Sequence, residues 1–305
     1  MERSYYFLSW DEDLHVAAAK KLLEEKTGAQ AYLINTNKLA DDQGATFFRS
    51  NANSEGLLPG CKLDDVVWAR RVRPLQKTDV LFDTETTAFI HNECSHALIG
   101  AVCASGAKHV INDIWRQHQA DCKILQLKFA MQAGFKIPST LVSNSPKSVR
   151  EFFSLHKQKV IVKVLHGTKF NTYTTIELTE EMLENDSSIR ACPAIYQERI
   201  EGTKHLRINF FGENAYAFEI ESDMMDWRRK LTRRITQVLL PPKLESSLRA
   251  LKNQFGLHLS VFDLKYDDCG DIFFLELNPQ GQYLFLEGLT GFPLNEKMVN
   301  YLISL

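Results

Sequence analysis

An excess of one charge is missing from this chain. Across 305 residues, 36 Lys+Arg stand against 38 Asp+Glu. A dedicated nucleic-acid binder carries a basic surplus, so no nucleic-acid partner is expected. Long uncharged apolar runs are missing too. None approaches the roughly 20 residues of a membrane span, so no membrane partner is expected. The opening Met1-Glu2-Arg3-Ser4-Tyr5-Tyr6 has no basic stretch followed by an apolar one, and therefore no visible signal peptide. A cytoplasmic location is the expectation. The cysteines are few and scattered: Cys61, Cys94, Cys103, Cys122, Cys192 and Cys269 form no CxxC pair. In a chain of this size that pattern reads as reduced thiols, not as a disulfide frame or a zinc cluster. Also absent are the GxxxxGK[ST] phosphate loop, GxGxxG, HExxH and GxSxG. The nine histidines show no metal spacing. No internal repeat and no low-complexity segment is present.

What is there is an ordinary soluble composition, 44% hydrophobic and 24% charged, with alternating strand and helix signals. Tyr5 to Leu8 and Ala31 to Ile34 read as short strands around a helix from Asp13 to Glu25, where Leu14, Ala17, Ala18, Leu22 and Leu23 have helical spacing. Thr46 to Ser50 and Cys61 to Arg71 are candidate strands. A helix from Asp83 to Ala104 and a strand at Val110 to Asn112 follow. This β-α-β order predicts a small open α/β domain over 1–113. From Gln119 to Ala133 the chain predicts one helix, stopped by Gly134. Ser145-Pro146 opens another, with proline where a first turn tolerates it. Val160 to Leu165 is an apolar run broken by Lys163. Thr179 to Glu184 predicts a helix and Ala194 to Glu198 a strand. Beyond residue 200, Leu206 to Phe211 and Ala215 to Ile220 predict a hairpin. Leu244 to Phe255 predicts a helix, Leu257 to Lys265 and Ile272 to Leu277 strands around a tight turn at Asp267 to Asp271, and Glu296 to Ile303 a closing helix.

The sharpest chemical signal is on that last pair of strands. Glu276 and Asn278 are two apart, so on a strand they share a face, and the turn folds Asp263 back beside them. Two carboxylates and an amide oxygen form a hard-oxygen set suited to Mg²⁺. A solvated strand face is the plainer alternative, but Val261, Phe262, Phe274, Leu275 and Leu277 are apolar, and carboxylates within buried strands need a partner. Lys163 inside Val-Ile-Val-Lys-Val-Leu is placed to hold a phosphate; alternatively it is an edge-strand lysine that blocks aggregation. Lys123, on the preceding helix, is weaker alone. Arg207 interrupts a strand and Arg228 follows Asp226-Trp227. Each offers a planar fork for carboxylate or phosphate, or is a surface ion pair worth little.

Taken in order, Lys123, Gly134-Phe-Lys-Ile-Pro138-Ser-Thr140, Lys163, Tyr196-Gln197-Glu198-Arg199-Ile200, Leu206-Arg207, Asp263 and Glu276-Leu277-Asn278 resemble the ATP-grasp superfamily, and its RimK-like branch in particular. Within that branch the chain resembles the microviridin-type (graspetide) peptide ligases. The pieces that carry this are Trp68-Ala69-Arg70-Arg71, Asn112 ahead of the Lys123 helix, Thr140 to Pro146, Asp226-Trp227-Arg228, and Asn278-Pro279-Gln280-Gly281-Gln282 followed by Thr290-Gly291-Phe292-Pro293. The resemblance spans nearly the whole chain. It implies an α/β (α+β) ATP-grasp fold with an N-terminal open α/β domain (1–113), a central domain (114–200) and a C-terminal domain (201–305), and with ATP in the cleft between the last two.

The resemblance also implies roles. Lys123 and Lys163 hold the ATP phosphates. Gln197, Glu198 and Ile200 lie where the hinge touches adenine, largely through backbone atoms. Arg207 and Arg228 contact the γ-phosphate or an acyl-phosphate. Asp263, Glu276 and Asn278 bind Mg²⁺. His205 stands where relatives often carry an acid, and the loop from His166 to Thr175 has one glycine where many have several. The implied activity is ATP-dependent joining of Asp or Glu side chains of a ribosomal precursor peptide to Ser/Thr or Lys side chains. The products are ω-ester or ω-amide macrocycles. A leader segment of the peptide is the expected docking partner, with the acidic stretch Glu177 to Asp186 as one candidate surface against a solvated helix face. A homodimer is the expected assembly. The alternatives are a RimK-like ligase that adds free amino acids to a terminus, and a non-catalytic nucleotide-binding scaffold.

Overall fold

The structure is a computed structural model that describes residues 3–39, 45–50, 57–58, 60–70, 83–166, 174–225, 227 and 234–305. The chain divides into two compact units. One comprises Met1–Gln117, Leu257–Leu259 and Gln282–Leu305; the other comprises His118–Gly256 and Ser260–Gly281.

In the first unit, β1 (Tyr5–Ser9), β2 (Ala31–Asn35), β3 (Val66–Ala69) and β4 (His109–Ile111) form a wholly parallel sheet in the order β2-β1-β3-β4. Every residue of β1 and β3 is buried. Central parallel strands are covered on both faces and therefore read as continuous apolar runs instead of alternating ones. The crossovers are α1 (Leu14–Thr27) and α2 (Thr84–Cys103). Asp13 caps α1 by accepting from the His15 amide, and Gly28 closes it at φ +68° with its N–H on the Glu24 carbonyl. Asp83 caps α2 in the same way on Thr86. The 46–50 stretch forms no strand, and the strand expected from Cys61 begins only at Val66. Arg71 lies outside the described residues.

Between Ile114 and Gln132 the chain forms two helices, α3 (Ile114–Asp121) and α4 (Lys123–Gln132), instead of the single one expected from Gln119. The break is at Cys122, whose extended backbone (φ −72°, ψ 98°) makes it the N-cap of α4. Hydrophobic spacing does not record such a break, because the apolar stripe resumes in phase.

The second unit holds two sheets. β5 (Thr140–Ser143), β6 (Val160–Lys163), β7 (Ile176–Glu177) and β8 (Ala194–Glu198) are ordered β5-β8-β6-β7 and pair antiparallel. One face packs on α5 (Pro146–Leu155), α6 (Glu180–Glu184) and α7 (Asp186–Ala191) through Val149, Phe153, Val160, Leu183, Ile189 and Tyr196. β9 (Lys204–Phe211), β10 (Asn214–Glu221), β11 (Ile235–Val238), β12 (Leu259–Tyr266) and β13 (Ile272–Asn278) form the other sheet, ordered β11-β10-β9-β12-β13. Its apolar face carries an aromatic row, Phe210–Phe262–Phe274, with ring centroids 5.7 and 6.3 Å apart. Phe129 of α4 tilts against Phe255, just past α8 (Pro242–Gln254), at 5.0 Å. The closing helices α9 (Leu284–Thr290) and α10 (Leu294–Ser304) belong to the first unit, where Lys26 of α1 binds Glu296 of α10 at 2.6 Å.

A bulge in β13 shapes the second unit. Phe262 faces Leu277 and Asp263 faces Glu276, but Leu264 faces Phe274, so Leu275 is the extra residue. Phe274 and Leu277 are three apart yet both are fully buried. Without the bulge Glu276 would share the buried face of Phe274; with it, Glu276 and Asn278 turn to the opposite face. After Asn278 the chain turns back over that face. Gly281 comes so close to β12 that a Cβ there would lie 2.2 Å from Val261 Cγ2 and 2.5 Å from its Cβ.

Val261 is β-branched on a paired strand and cannot step aside. Gly281→Ala is therefore expected to cost about 1–3 kcal/mol, read as a lower urea midpoint with an unchanged slope. An unchanged midpoint would show that this crossing is not as tight as described.

Candidate active site

The polar face of the five-stranded sheet is built by alternation. On β9, Leu206, Ile208 and Phe210 turn to the aromatic side, leaving His205, Arg207 and Asn209 on the other; all three are at least 94% buried. On β12, Asp263 lies on that same side. The Arg207 guanidinium donates from Nη1 to both Asp263 carboxylate oxygens, at 2.8 and 2.9 Å. Trp227 stacks over Arg207, with its ring 5.5 Å from the guanidinium carbon. Asp263 is directly opposite Glu276. Two carboxylates placed face to face repel, and each here has a cation: Arg207 on Asp263, and Lys123 Nζ on Glu276 Oε1 at 2.7 Å.

Lys123 is positioned by the residue one turn later. Gln126, almost fully buried, lies beside β13, the edge strand of its sheet. Its Nε2 donates to the Leu277 carbonyl at 2.7 Å, and its Oε1 accepts from the Leu277 amide at 3.0 Å. The same Nε2 also donates to the Ala120 carbonyl. One side-chain amide thus replaces a neighbouring strand and covers an exposed edge. Leu277 is flanked by Glu276 and Asn278, so the clamp fixes the first residue of α4 against the acidic pair. Asn278 Oδ1 accepts from the Gln280 amide at 2.9 Å, which starts the turn leading to Gly281.

This donor set fits Mg²⁺. The cation usually takes one or two carboxylates from the protein and fills its shell with water and phosphate oxygens. The two cationic side chains drawn to Asp263 and Glu276 show that the face demands positive charge. Among the described residues no group of three or more His, Cys, Asp or Glu that could hold a metal assembles; the oxygen donors here are Asp263, Glu276 and the Asn278 amide.

In the four-stranded sheet, Lys163 Nζ donates to Gln197 Oε1 at 2.8 Å, and Gln197 Nε2 donates to Thr140 Oγ1 at 2.9 Å. These three residues form one row across β6, β8 and β5, on the face away from the apolar core. β6 lies between β8 and the two-residue β7, which pairs with Ile161 and Val162 and stops short of Lys163.

No protein-family model and no curated protein matches the chain. Solved structures do. The macrocyclase MdnC bound with precursor peptide MdnA, from Microcystis aeruginosa MRC, superposes with a TM-score of 0.85 at 24% identity, over 98% of this chain and 99% of that one. A Chryseobacterium gregarium RiPP-associated ATP-grasp ligase, in complex with ADP and a leader and core peptide, gives 0.84 at 23% identity, over 99% and 97%. The ATP-grasp ligase PsnB, complexed with a phosphomimetic variant of its minimal precursor, Mg and ADP, gives 0.75 at 19% identity, over 100% and 99%. The chain has the ATP-grasp fold.

The segment after β8 links the two sheets of the second unit. The Ile200 carbonyl accepts from Lys265 Nζ at 2.8 Å. Burial holds the Lys265 ammonium below its ordinary pKa, with Glu201 opposing that shift. Glu198 does not turn to the Lys163 row. Its carboxylate accepts from the Ser139 amide at 3.0 Å and lies 3.4 Å from His156 Nδ1, while its own amide pairs with the Ser139 carbonyl. Arg228, Asp226 and most of the 166–175 loop lie outside the described residues.

Sequence reasoning missed Gln126, Trp227 and Asn209. Gln126, one polar residue among apolar helix positions, was a usable signal; Trp227 was noted only as part of Asp226-Trp227-Arg228, without its contact to Arg207, and Asn209 gave none without the strand register.

Gln126→Leu leaves the Leu277 N–H and C=O unmet, which is expected to cost about 2 kcal/mol or more. Hydrogen exchange at the Leu277 amide should accelerate in step. Unchanged exchange there would show that the clamp does not form.

Proposed function

We propose that this chain is an ATP-dependent carboxylate ligase acting on a ribosomal precursor peptide, closing Asp or Glu side chains onto Ser/Thr hydroxyls or Lys amines as ω-ester or ω-amide macrocycles. The observation that carries the proposal is the charge arrangement on one sheet face: Asp263 opposite Glu276, with Arg207 and Lys123 on them. The neighbours support the substrate class, since MdnC is described with a precursor peptide and the Chryseobacterium ligase with ADP and a leader and core peptide.

A carboxylate is a poor electrophile because it is anionic and its oxygen leaves badly. Transfer of the γ-phosphoryl group to it gives a mixed anhydride and ADP. Lys123 and Lys163, with the forked Arg207, offset charge along the phosphates as the group moves. Asp263, Glu276 and Asn278 would hold Mg²⁺, which when bound neutralises charge between the phosphates. With Mg²⁺ on the carboxylates, Lys123 and Arg207 would be free to pair with phosphate instead of Glu276 and Asp263. The adenine lies at the hinge by Gln197 to Ile200, between the central and C-terminal parts. Arg228, which lies outside the described residues, is assigned to phosphate binding by the Asp226-Trp227-Arg228 sequence alone. In the second half-reaction a hydroxyl or amine attacks the acyl carbon and phosphate departs. Trp227, stacked on Arg207, keeps the guanidinium from swinging out when Asp263 is given up.

Intact mass spectrometry tests this. The enzyme is incubated with ATP, Mg²⁺ and the short peptides encoded beside its gene. ATP-dependent loss of one water per bond is expected; gain of an amino-acid mass would instead indicate terminal ligation, and no change with any peptide would remove the proposal. Glu276→Gln should lower turnover by about 10²-fold or more, since charge stabilisation of several kcal/mol is lost, with thermal stability retained. A variant of near-normal activity would refute the metal assignment.

A further inference from the structure

Asn209 stands apart within the polar row of β9. It is completely buried, yet neither its Oδ1 nor its Nδ2 has a hydrogen-bond partner. Burying an amide with both ends unmet is costly, and native proteins keep such groups only with a reason. Tyr216 stands directly across on β10, and Asn209 makes no bond to it.

Position along the strand indicates what the amide is for. β9 leaves the hinge at Lys204, and His205, Arg207 and Asn209 follow on one face at steps of roughly 7 Å, two residues each. Under the proposed function, on which this inference rests, the base is at the hinge and the phosphates reach Arg207 and Asp263. Asn209 is one step beyond the transferred phosphoryl group, where the acyl part of the mixed anhydride has to lie.

We propose that Asn209 is a substrate-positioning residue whose carboxamide holds the activated Asp or Glu side chain. Its Nδ2–H donates to the acyl oxygen, which gains negative charge as the nucleophile adds, and its Oδ1 accepts from the incoming hydroxyl or amine. A neutral amide takes no proton. The bond from acyl carbon to the nucleophile's oxygen or nitrogen forms, and the bond from acyl carbon to the phosphate oxygen breaks. Phosphate leaves with the electron pair, and the nucleophile's proton passes to it. An amide serves both partners where a carboxylate would repel the substrate and a hydroxyl would span less.

The test uses Asn209→Leu, close in size but apolar, in the full chain. Because an unmet amide is removed, the ligand-free melting temperature is expected to stay level or rise. Affinity for ADP with Mg²⁺ should stay within about threefold, while peptide-dependent ADP release, measured with synthetic copies of the short reading frames beside the gene, falls at least about tenfold. Asn209→Thr, which keeps a donor, should retain more turnover than the leucine variant. A melting temperature lower by more than about 4 °C, a parallel loss of ADP affinity, unchanged turnover, or a threonine variant no better than leucine would each overturn the assignment. Wild-type protein silent on every peptide would bring down the functional reading, whereas an active wild type with an equally active leucine variant would bring down this inference alone.

Discussion

Asp263 and Glu276 oppose each other across one antiparallel pair, and this like-charge contact governs the second unit. Two carboxylates in that register repel, and they are tolerable only where positive charge is held against both. The fold supplies it from two directions. Arg207 reaches in from the adjoining strand, and Lys123 from the start of a helix on the other side. A buried guanidinium is itself costly unless paired, so each side of the arrangement is the condition for the other. Such a face is stable while cations occupy it, whether they are side chains or a metal. Under the proposed function, that property would let a phosphate-bound cation replace a side-chain cation without exposing a bare charge.

The rest of the unit works to keep the carboxylates on that face. A regular β13 could not do so, because Phe274 and Leu277 must both reach the aromatic side while Glu276 and Asn278 avoid it. The one-residue bulge resolves the conflict by resetting the alternation. A bulge on an edge strand is a weak point, since beyond the single bridge at Lys136 the edge has no second neighbour to hold it. Gln126 supplies one, with a single amide making both ladder bonds to Leu277. Gly281 then lets the chain return over Val261 within a distance that a Cβ would forbid. Bulge, amide clamp and glycine crossing all fall within one residue-pair of the acidic site, so loss of any of them would move it.

The sequence made the ionisable residues legible because they contradict their surroundings. Glu276 in Phe-Leu-Glu-Leu-Asn and Lys163 in Val-Ile-Val-Lys-Val-Leu are charges where burial is expected, and the structure assembles both kinds of signal. Lys163 needed the sheet order and its partner Gln197 to be placed, on a strand that lies between β8 and β7. Less legible were residues that act through geometry alone. The Cys122 break between α3 and α4 leaves no trace in hydrophobic spacing. Trp227 looks like any buried aromatic until Arg207 is found under it. The bulge at Leu275 alters register by one residue, which no period-2 pattern reports. Asn209 reads as an ordinary polar position in an alternating strand, and only the missing partners distinguish it.

Polarity along β9 follows from the same logic. A strand that leaves a hinge and runs beneath a row of phosphates meets its ligand in a fixed sequence, at one contact for every second residue. His205, Arg207 and Asn209 change character in that order, from an imidazole near the start of the strand, to a guanidinium paired with Asp263, to a carboxamide at the far end. An extended nucleotide has the same succession, an apolar base, a string of anionic phosphates, and beyond them the group that receives the phosphoryl. The opposite face of the strand, Leu206, Ile208 and Phe210, carries no such gradient because it meets only other side chains. Under the proposed function, a nucleotide with its phosphates over Arg207 would lie along this polar face, with the acyl group beyond them at Asn209.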